Sequence, residues 1–261
     1  MAEEERGVAL VTGAARRIGL AIADRLAREG FSVALHASVA SHPEAERQAD
    51  RLRSRGARTC ALSGDLADPA VPRRLVAEAE RALGPVTLLV NSASLFEPDT
   101  ARDPGLLDRH LAVNLRAPLL LAAELVERLP AGREGTIVNI VDQRVLKPNP
   151  VFFSYGLSKS ALWNATCTMA QAFAPRRVRV NAVGPGPTFP NRFDGEEGMR
   201  EEVGGLPLGR AVQPEEIADA VLFLARSRSV TGQLIAVDAG QHLGWITPDV
   251  PLAYRNQEPS P

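Results

Sequence analysis

The sequence predicts an α/β protein built on a doubly wound parallel sheet of about seven strands with helices on both faces. Three observations carry this. Strand-like and helix-like segments alternate from end to end. The strand-like segments are continuous apolar runs, as expected when a parallel sheet is covered on both sides. A glycine-containing turn joins the first strand to the first helix, the place where such sheets bind phosphate groups.

The elements follow in order. Val8–Val11 reads as a short buried strand, Thr12–Gly19 as the turn, and Leu20–Glu29 as a helix ended by Gly30. Phe31–His36 is a second strand, Pro43–Arg55 a helix ended by Gly56, and Thr59–Leu62 a third strand. Ala70–Leu83 is a helix closed by Gly84-Pro85, and Val86–Val90 a fully apolar strand. Gly105–Leu129 reads as one long helical stretch, Thr136–Val141 as a strand and Tyr155–Phe173 as a helix. Val178–Val183 is a strand, Pro214–Ala225 a helix and Leu234–Val237 the last strand. Residues 185–210, rich in Pro, Gly and charge, are too long for an ordinary connection and are expected to form a mobile lid. A domain over 7–246 is expected, with a flexible 1–6 and a proline-rich tail over 247–261 that is either disordered or draped over a neighbouring subunit.

Composition narrows the function. With 261 residues, 45% of them hydrophobic, the chain can bury one large core. A net charge of −1 leaves no basic face for nucleic acid. No apolar run is long enough to cross a bilayer and no signal peptide opens the chain, so a cytoplasmic location is expected. Cys60 and Cys167, without CxxC spacing, read as reduced, buried thiols with no disulfide or metal role.

Chemistry concentrates in a trio. Tyr155 and Lys159 are four residues apart and share a helix face; Asp142 lies at the end of the preceding strand. A lysine beside a tyrosine favours the phenolate, so Lys159 is expected to lower the Tyr155 pKa and improve it as a proton donor. Lysine occurs only at 147 and 159 in an arginine-rich chain, which marks Lys159 as a chemical choice.

The phosphate turn Thr12-Gly13-Ala14-Ala15-Arg16-Arg17-Ile18-Gly19 has the strand before it and the helix after it that a dinucleotide site requires. The second strand ends in Leu35-His36-Ala37-Ser38, without the acid that would bond a ribose 2′-hydroxyl. Arg16 and Arg17, with His36 and Ser38, would accept a 2′-phosphate, so NADPH is expected rather than NADH. Asp65 and Leu66 follow the third strand, where Asp65 either accepts from an adenine amino group or caps a turn. Asn91-Ser92-Ala93-Ser94 follows the fourth strand, where small residues allow a cofactor to approach.

Thr12-Gly13 through Gly19, Asp65, Asn91-Ser92-Ala93, Asn114, Tyr155-x-x-x-Lys159 and Pro185-Gly186, in this order, resemble the short-chain dehydrogenase/reductase family over nearly the whole chain. The resemblance implies a Rossmann-type fold, a nicotinamide cofactor against Pro185 and Gly186, Tyr155 as proton donor and Lys159 on the nicotinamide ribose. It also implies Asn114 at a helix kink serving a proton-relay water, and a homotetramer. The chain departs from the family pattern in three places: Arg17 where glycine is usual, Ser92 and Ser94 within the Asn-Asn-Ala-Gly run, and Asp142 in place of serine. Arg17, Asp142 and the Ser94-Leu95-Phe96 run resemble the pteridine reductase branch, in which a pterin stacks between a phenylalanine and the nicotinamide. Arg17, Ser94, Phe96, Asp142 and Tyr155 are therefore the expected substrate contacts, with Phe189 and Phe193 as candidate lid contacts.

Asp142 bears on the choice of substrate. An ionised carboxylate accepts hydrogen bonds and donates none. It would repel the alkoxide formed from a ketone, yet can accept from a heterocycle's N–H groups, or relay a proton when protonated. A pterin or dihydrofolate ring C=N bond is expected as the reduced group. The alternatives are a general NADPH-dependent ketone reductase and a catalytically silent dinucleotide-binding sensor.

Overall fold

In a computed structural model of the chain, residues 6–99 and 102–244 are described. Their strands are β1 Val8–Thr12, β2 Ser32–Ala37, β3 Thr59–Ser63, β4 Val86–Asn91, β5 Gly135–Ile140, β6 Val178–Pro185 and β7 Leu234–Val237. All seven are parallel, in the spatial order β3-β2-β1-β4-β5-β6-β7. The helices are α1 Arg17–Arg28, α2 His42–Arg53, α3 Ala70–Leu83, α4 Pro104–Leu111, α5 Ala117–Arg128, α6 Phe153–Phe173, α7 Gly195–Gly204 and α8 Pro214–Arg226.

Strand residues alternate between the two faces, and both faces are apolar. Ala9, Val11, Val33, Leu35 and Val138 pack against Ile22 and Leu26 of α1 and Ile217 and Val221 of α8. Val8, Leu10, Ala34, Leu89 and Ile137 pack against Leu75 and Ala79 of α3, Leu121 and Leu125 of α5, and Met169 of α6. This double coverage is why the strands read as unbroken apolar runs. The strand order reverses beside β1, so the loops after β1 and β4 diverge and leave a crevice at the carboxyl edge of the sheet. Thr12 ties those loops together, its hydroxyl accepting from the backbone N–H groups of Ser92 and Ala93, both at 3.0 Å.

Most element boundaries agree with expectation within three residues, and two segments differ. The continuous helix expected over Gly105–Leu129 is broken by a wide, π-type turn at Ala112–Arg116 between α4 and α5. Pro118 has no N–H to give the carbonyl of Asn114 four residues earlier, so the regular ladder cannot pass through. The 185–210 segment, expected to form a mobile lid, carries the three-turn helix α7. The Asn191 carboxamide oxygen accepts from the N–H groups of Phe193 and Asp194, and Glu196 and Glu197 place negative charge in the first turn. Leu206 and Val212 then anchor the segment to the core.

Both cysteines are free thiols, half-buried rather than buried, and burial pushes Cys60 up to about 11. No described helix is long and apolar enough to cross a membrane. The expectations for residues 1–5 and for the tail from 245 onward lie outside the described residues.

Candidate active site

A cleft of about 680 Å³ runs along the carboxyl edge of the sheet, floored by the loops after β1, β4, β5 and β6 and roofed by residues 187–202. That volume suits a cofactor-sized ligand. At one end, glycines let the loops that line the cleft pack closely on one another. Gly13 has a φ of +68°, and a Cβ there would lie 2.8 Å from the Ala93 Cα. A Cβ on Gly19 would lie 2.2 Å from the Gly13 carbonyl oxygen, and one on Gly186 2.6 Å from the Asp238 Cα. Arg17 has a φ of +55°, the left-handed region that glycine usually occupies and the physical reason the family prefers glycine there. No side chain caps the N-terminus of α1 and its first turn holds no acid, so its N–H groups are open to a pyrophosphate. This set of residues fits a dinucleotide.

Arg16, Arg17, Ile18, Ser38, Asp65, Leu66, Ser92, Ala93, Pro185 and Gly186 all line the cleft, as the sequence suggested. Arg16 and Arg17 after β1 and Ser38 after β2 are exposed and offer the cleft two cations and a hydroxyl. Arg17 also reaches the roof, lying 5.0 Å from the Phe189 ring centre and donating to the Pro190 carbonyl at 3.4 Å. Asp65 caps its own turn, accepting from the Ala67 N–H at 2.9 Å. Two assignments require correction, His36 and Asn91, whereas the helix kink expected at Asn114 is present as the π-type turn Ala112–Arg116. His36 touches the cleft but is 2% exposed; burial pushes it down to about 4, so it is neutral and adds no charge for a 2′-phosphate. Asn91 does not line the cleft: it is buried in the sheet and donates to the Asn139 carboxamide at 2.8 Å, which in turn donates to Thr166. Asn114 does not line the cleft either. Its carboxamide is spent on the Leu95 N–H and carbonyl and on the Ser158 hydroxyl, at 2.8, 2.9 and 3.0 Å, so it positions the loop after β4 and the helix that carries the tyrosine.

At the other end of the cleft the trio converges. Tyr155 and Lys159 lie one turn apart on α6, and Asp142 lies just beyond β5. The Tyr155 hydroxyl donates to Asp142 Oδ2 at 2.7 Å. The Lys159 ammonium donates to the Ile140 carbonyl at 2.7 Å and lies 5.8 Å from the centre of the Tyr155 ring. The electrostatics reverse the expected sign. Burial, then the Asp142 charge and hydrogen bond, hold the phenol well above its ordinary value, with Arg144 opposing. Lys159 does not bond the phenol, and is itself pushed down to about 8 by burial, with Asp142 opposing. Residue spacing shows that the groups meet, but not which atoms the ammonium chooses or how dry the site is.

Phe96 is brought to the trio by backbone ties: the Asp99 N–H donates to the Val151 carbonyl, and the Asp99 carboxylate accepts from the Ser154 N–H at the start of α6. Its ring stacks on Phe152 at 4.4 Å and meets the Tyr155 ring edge-on at 4.7 Å. Phe193 joins this group at 6.5 Å from Phe96, and Ser94 lies exposed at its edge. Two participants were missed in the sequence. Phe152 lies three residues before Tyr155, and that aromatic spacing at a helix start was a usable signal. Arg144, two residues past Asp142, donates to Asp142 Oδ1 through its backbone at 2.8 Å and to Oδ2 through its guanidinium at 3.3 Å. A polar residue in a loop carries no comparable signal.

Comparison with known proteins agrees with this geometry. Residues 13–242 match a family described as enoyl-(acyl carrier protein) reductase, of the short-chain type. The chain is 35% identical to a glucose 1-dehydrogenase of Gluconobacter oxydans, covering 88% of this chain and 90% of that one. It is 48% identical to the crystal structure of FolM alternative dihydrofolate reductase 1 from Brucella canis, complexed with NADP, with a TM-score of 0.91 and coverage of 95% and 98%. It is 35% identical to a blue fluorescent protein from a metagenomic library solved with NADPH, with a TM-score of 0.83 and coverage of 90% and 97%. The chain belongs to the short-chain dehydrogenase/reductase family, and its structural neighbours include members of the pteridine reductase-like branch.

Proposed function

We propose that the chain is an NADPH-dependent reductase of a ring C=N bond in a dihydropterin or dihydrofolate-type substrate. The observation that carries this reading is the Asp142 carboxylate, 2.7 Å from the Tyr155 hydroxyl. Where a ketone reductase would need a second donor to a developing alkoxide, this site presents an acceptor. Support also comes from the aromatic group around Phe96, which offers a face to a flat heterocycle, and from the NADP-bound neighbours named as dihydrofolate reductases.

Arg16, Arg17, Ser38, the glycine turn and Lys159 would hold NADPH, which would supply a hydride for a ring carbon of the substrate. Tyr155 gives its proton to the adjacent ring nitrogen. The resting phenol has that proton committed to Asp142. A substrate that offers Asp142 an N–H of its own replaces the phenol as donor and frees the Tyr155 proton for the ring nitrogen. The pterin ring system carries both an acceptor nitrogen and N–H donors; simple ketones carry neither. Lys159 holds a positive charge beside the phenolate left behind. Residues 187–202 close the cleft against water.

Steady-state NADPH oxidation with dihydrobiopterin, dihydromonapterin, dihydrofolate and a panel of small ketones tests the reading. Turnover of at least one pterin or folate, well above any ketone, is expected. Turnover of ketones alone would establish a general carbonyl reductase instead. NADPH binding without any turnover would point to a sensor.

A further inference from the structure

We propose that Arg144 and Asp142 act as one unit, Arg144 being the positioning residue that makes a carboxylate workable beside Tyr155; the proposal rests on the catalytic reading of Asp142. The Asp142 side chain is 13% exposed and that of Arg144 15%, so neither charge is well hydrated. A carboxylate so placed is costly unless it is paired and its lone pairs are filled. Arg144 does both. Its backbone N–H takes Oδ1, its guanidinium shares Oδ2 with the phenol, and that sharing aims Oδ2 at Tyr155.

The guanidinium is itself held in place by aromatic faces, 5.1 Å from the Phe152 ring centre and 5.7 Å from that of Phe96. Its Nε–H is buried without a partner, so the group is placed by the stack and by Asp142 alone. The same side chain therefore couples the aromatic wall to the proton donor. Other polar groups near the phenol are accounted for. Lys159 is bonded to the Ile140 carbonyl, His110 of α4 presents its ring 6.3 Å from Tyr155 while bonding the Leu106 carbonyl, and Glu97 on the cleft wall is paired with Arg192. Arg144 is the cation that contacts Asp142 directly among the described residues.

The test is a double-mutant cycle on Asp142→Asn and Arg144→Met, in the full chain with NADPH and whichever dihydropterin turns over. Each single variant is expected to lower kcat by roughly tenfold or more. The double variant should be no worse than about twofold below the weaker single, because a neutral residue 142 leaves no charge for Arg144 to hold. In the oxidation direction, where the phenolate is the base, the pH–rate profile of Arg144→Met should move to higher pH. A purely structural loss would leave that profile in place. Arg144→Lys should recover most of the rate, since it keeps the charge. Arg144→Gln replaces Arg144→Met, with the same expectations, should the Met variant fail to bind NADPH.

Impaired Asp142→Asn with Arg144→Met within twofold of wild type and an unmoved profile would overturn the role of Arg144. So would full additivity of two impaired singles. Asp142→Asn within twofold of wild type would instead remove the catalytic reading of Asp142, and the unit with it.

Discussion

The hydroxyl of Tyr155 donates to Oδ2 of Asp142 at 2.7 Å, so the proton that the proposed mechanism delivers to substrate stays on the phenol and is directed at a carboxylate. Burial and Asp142 together keep the phenol protonated far into the alkaline range. Lys159 is different: burial brings it to about 8. The free enzyme should therefore lose kcat/KM for reduction as pH rises through about 8, when the ammonium proposed to hold the nicotinamide ribose is lost. The phenol itself should contribute no alkaline limb below 10. A profile between pH 6 and 10, with kcat/KM as the readout, reports free-enzyme groups. A flat profile through pH 9 would contradict this.

The same lysine should cost stability. Its pKa falls from 10.5 to about 8 on folding, so between those values the unfolded chain binds more protons and stability rises with pH. Below pH 8 the full penalty stands, worth about 3 kcal/mol. Lys159→Met removes it, at the cost of about 1 kcal/mol for leaving the Ile140 carbonyl without its donor. Without cofactor at pH 7, the variant should melt roughly 5 °C higher while losing activity. A lower Tm at pH 7 would show that the ammonium is not held against its preference.

Arg17 occupies left-handed backbone at φ +55° and reaches towards both the cofactor end and Pro190. Arg17→Gly should relax about 1 kcal/mol of backbone strain and raise Tm slightly. It should also weaken NADPH binding by roughly tenfold while NADH binding changes little, because only NADPH carries the 2′-phosphate that the lost charge would meet. Fluorescence titration with both cofactors decides. Equal weakening of the two would place Arg17 elsewhere.

The Phe96 ring stacks on Phe152 at 4.4 Å and meets the Tyr155 ring edge-on at 4.7 Å. Phe96→Leu keeps bulk but removes the stacking face, a loss of about 1 kcal/mol. KM for the pterin should rise roughly fivefold, with kcat nearly unchanged. Equal losses in kcat and kcat/KM would mean that Phe96 acts on the tyrosine rather than on the substrate.

The sheet and the meeting of Tyr155 with Lys159 could be read from the sequence because both follow from local rules. Strands such as Val86–Asn91 are covered on both faces and so uniformly apolar, and Tyr155 and Lys159 share a face whenever that segment is helical. What could not be read depends on three-dimensional choices. His36 looks like a cation at a strand end until its burial is known. Asn91 looks like a loop residue until the sheet encloses it. The phenol pKa depends on the Lys159 ammonium turning to the Ile140 carbonyl rather than to the tyrosine, and Arg144 reaches Asp142 through a tight turn that leaves no periodic trace. The π-type turn at Ala112–Arg116 was foreshadowed by Pro118, whose missing N–H is visible in the sequence.

The central claim is that the carboxylate at 142 selects a ring C=N bond over a carbonyl, and the most direct measurement is a ratio. In wild type and Asp142→Ser, kcat/KM with NADPH is determined for a dihydropterin and for a small reactive ketone. The account predicts that the substitution lowers pterin reduction by about 10²-fold, the size of a lost proton-transfer partner, while ketone reduction holds steady or rises, so the selectivity ratio collapses. A ratio unchanged between the two proteins, or pterin activity within twofold of wild type, would contradict it.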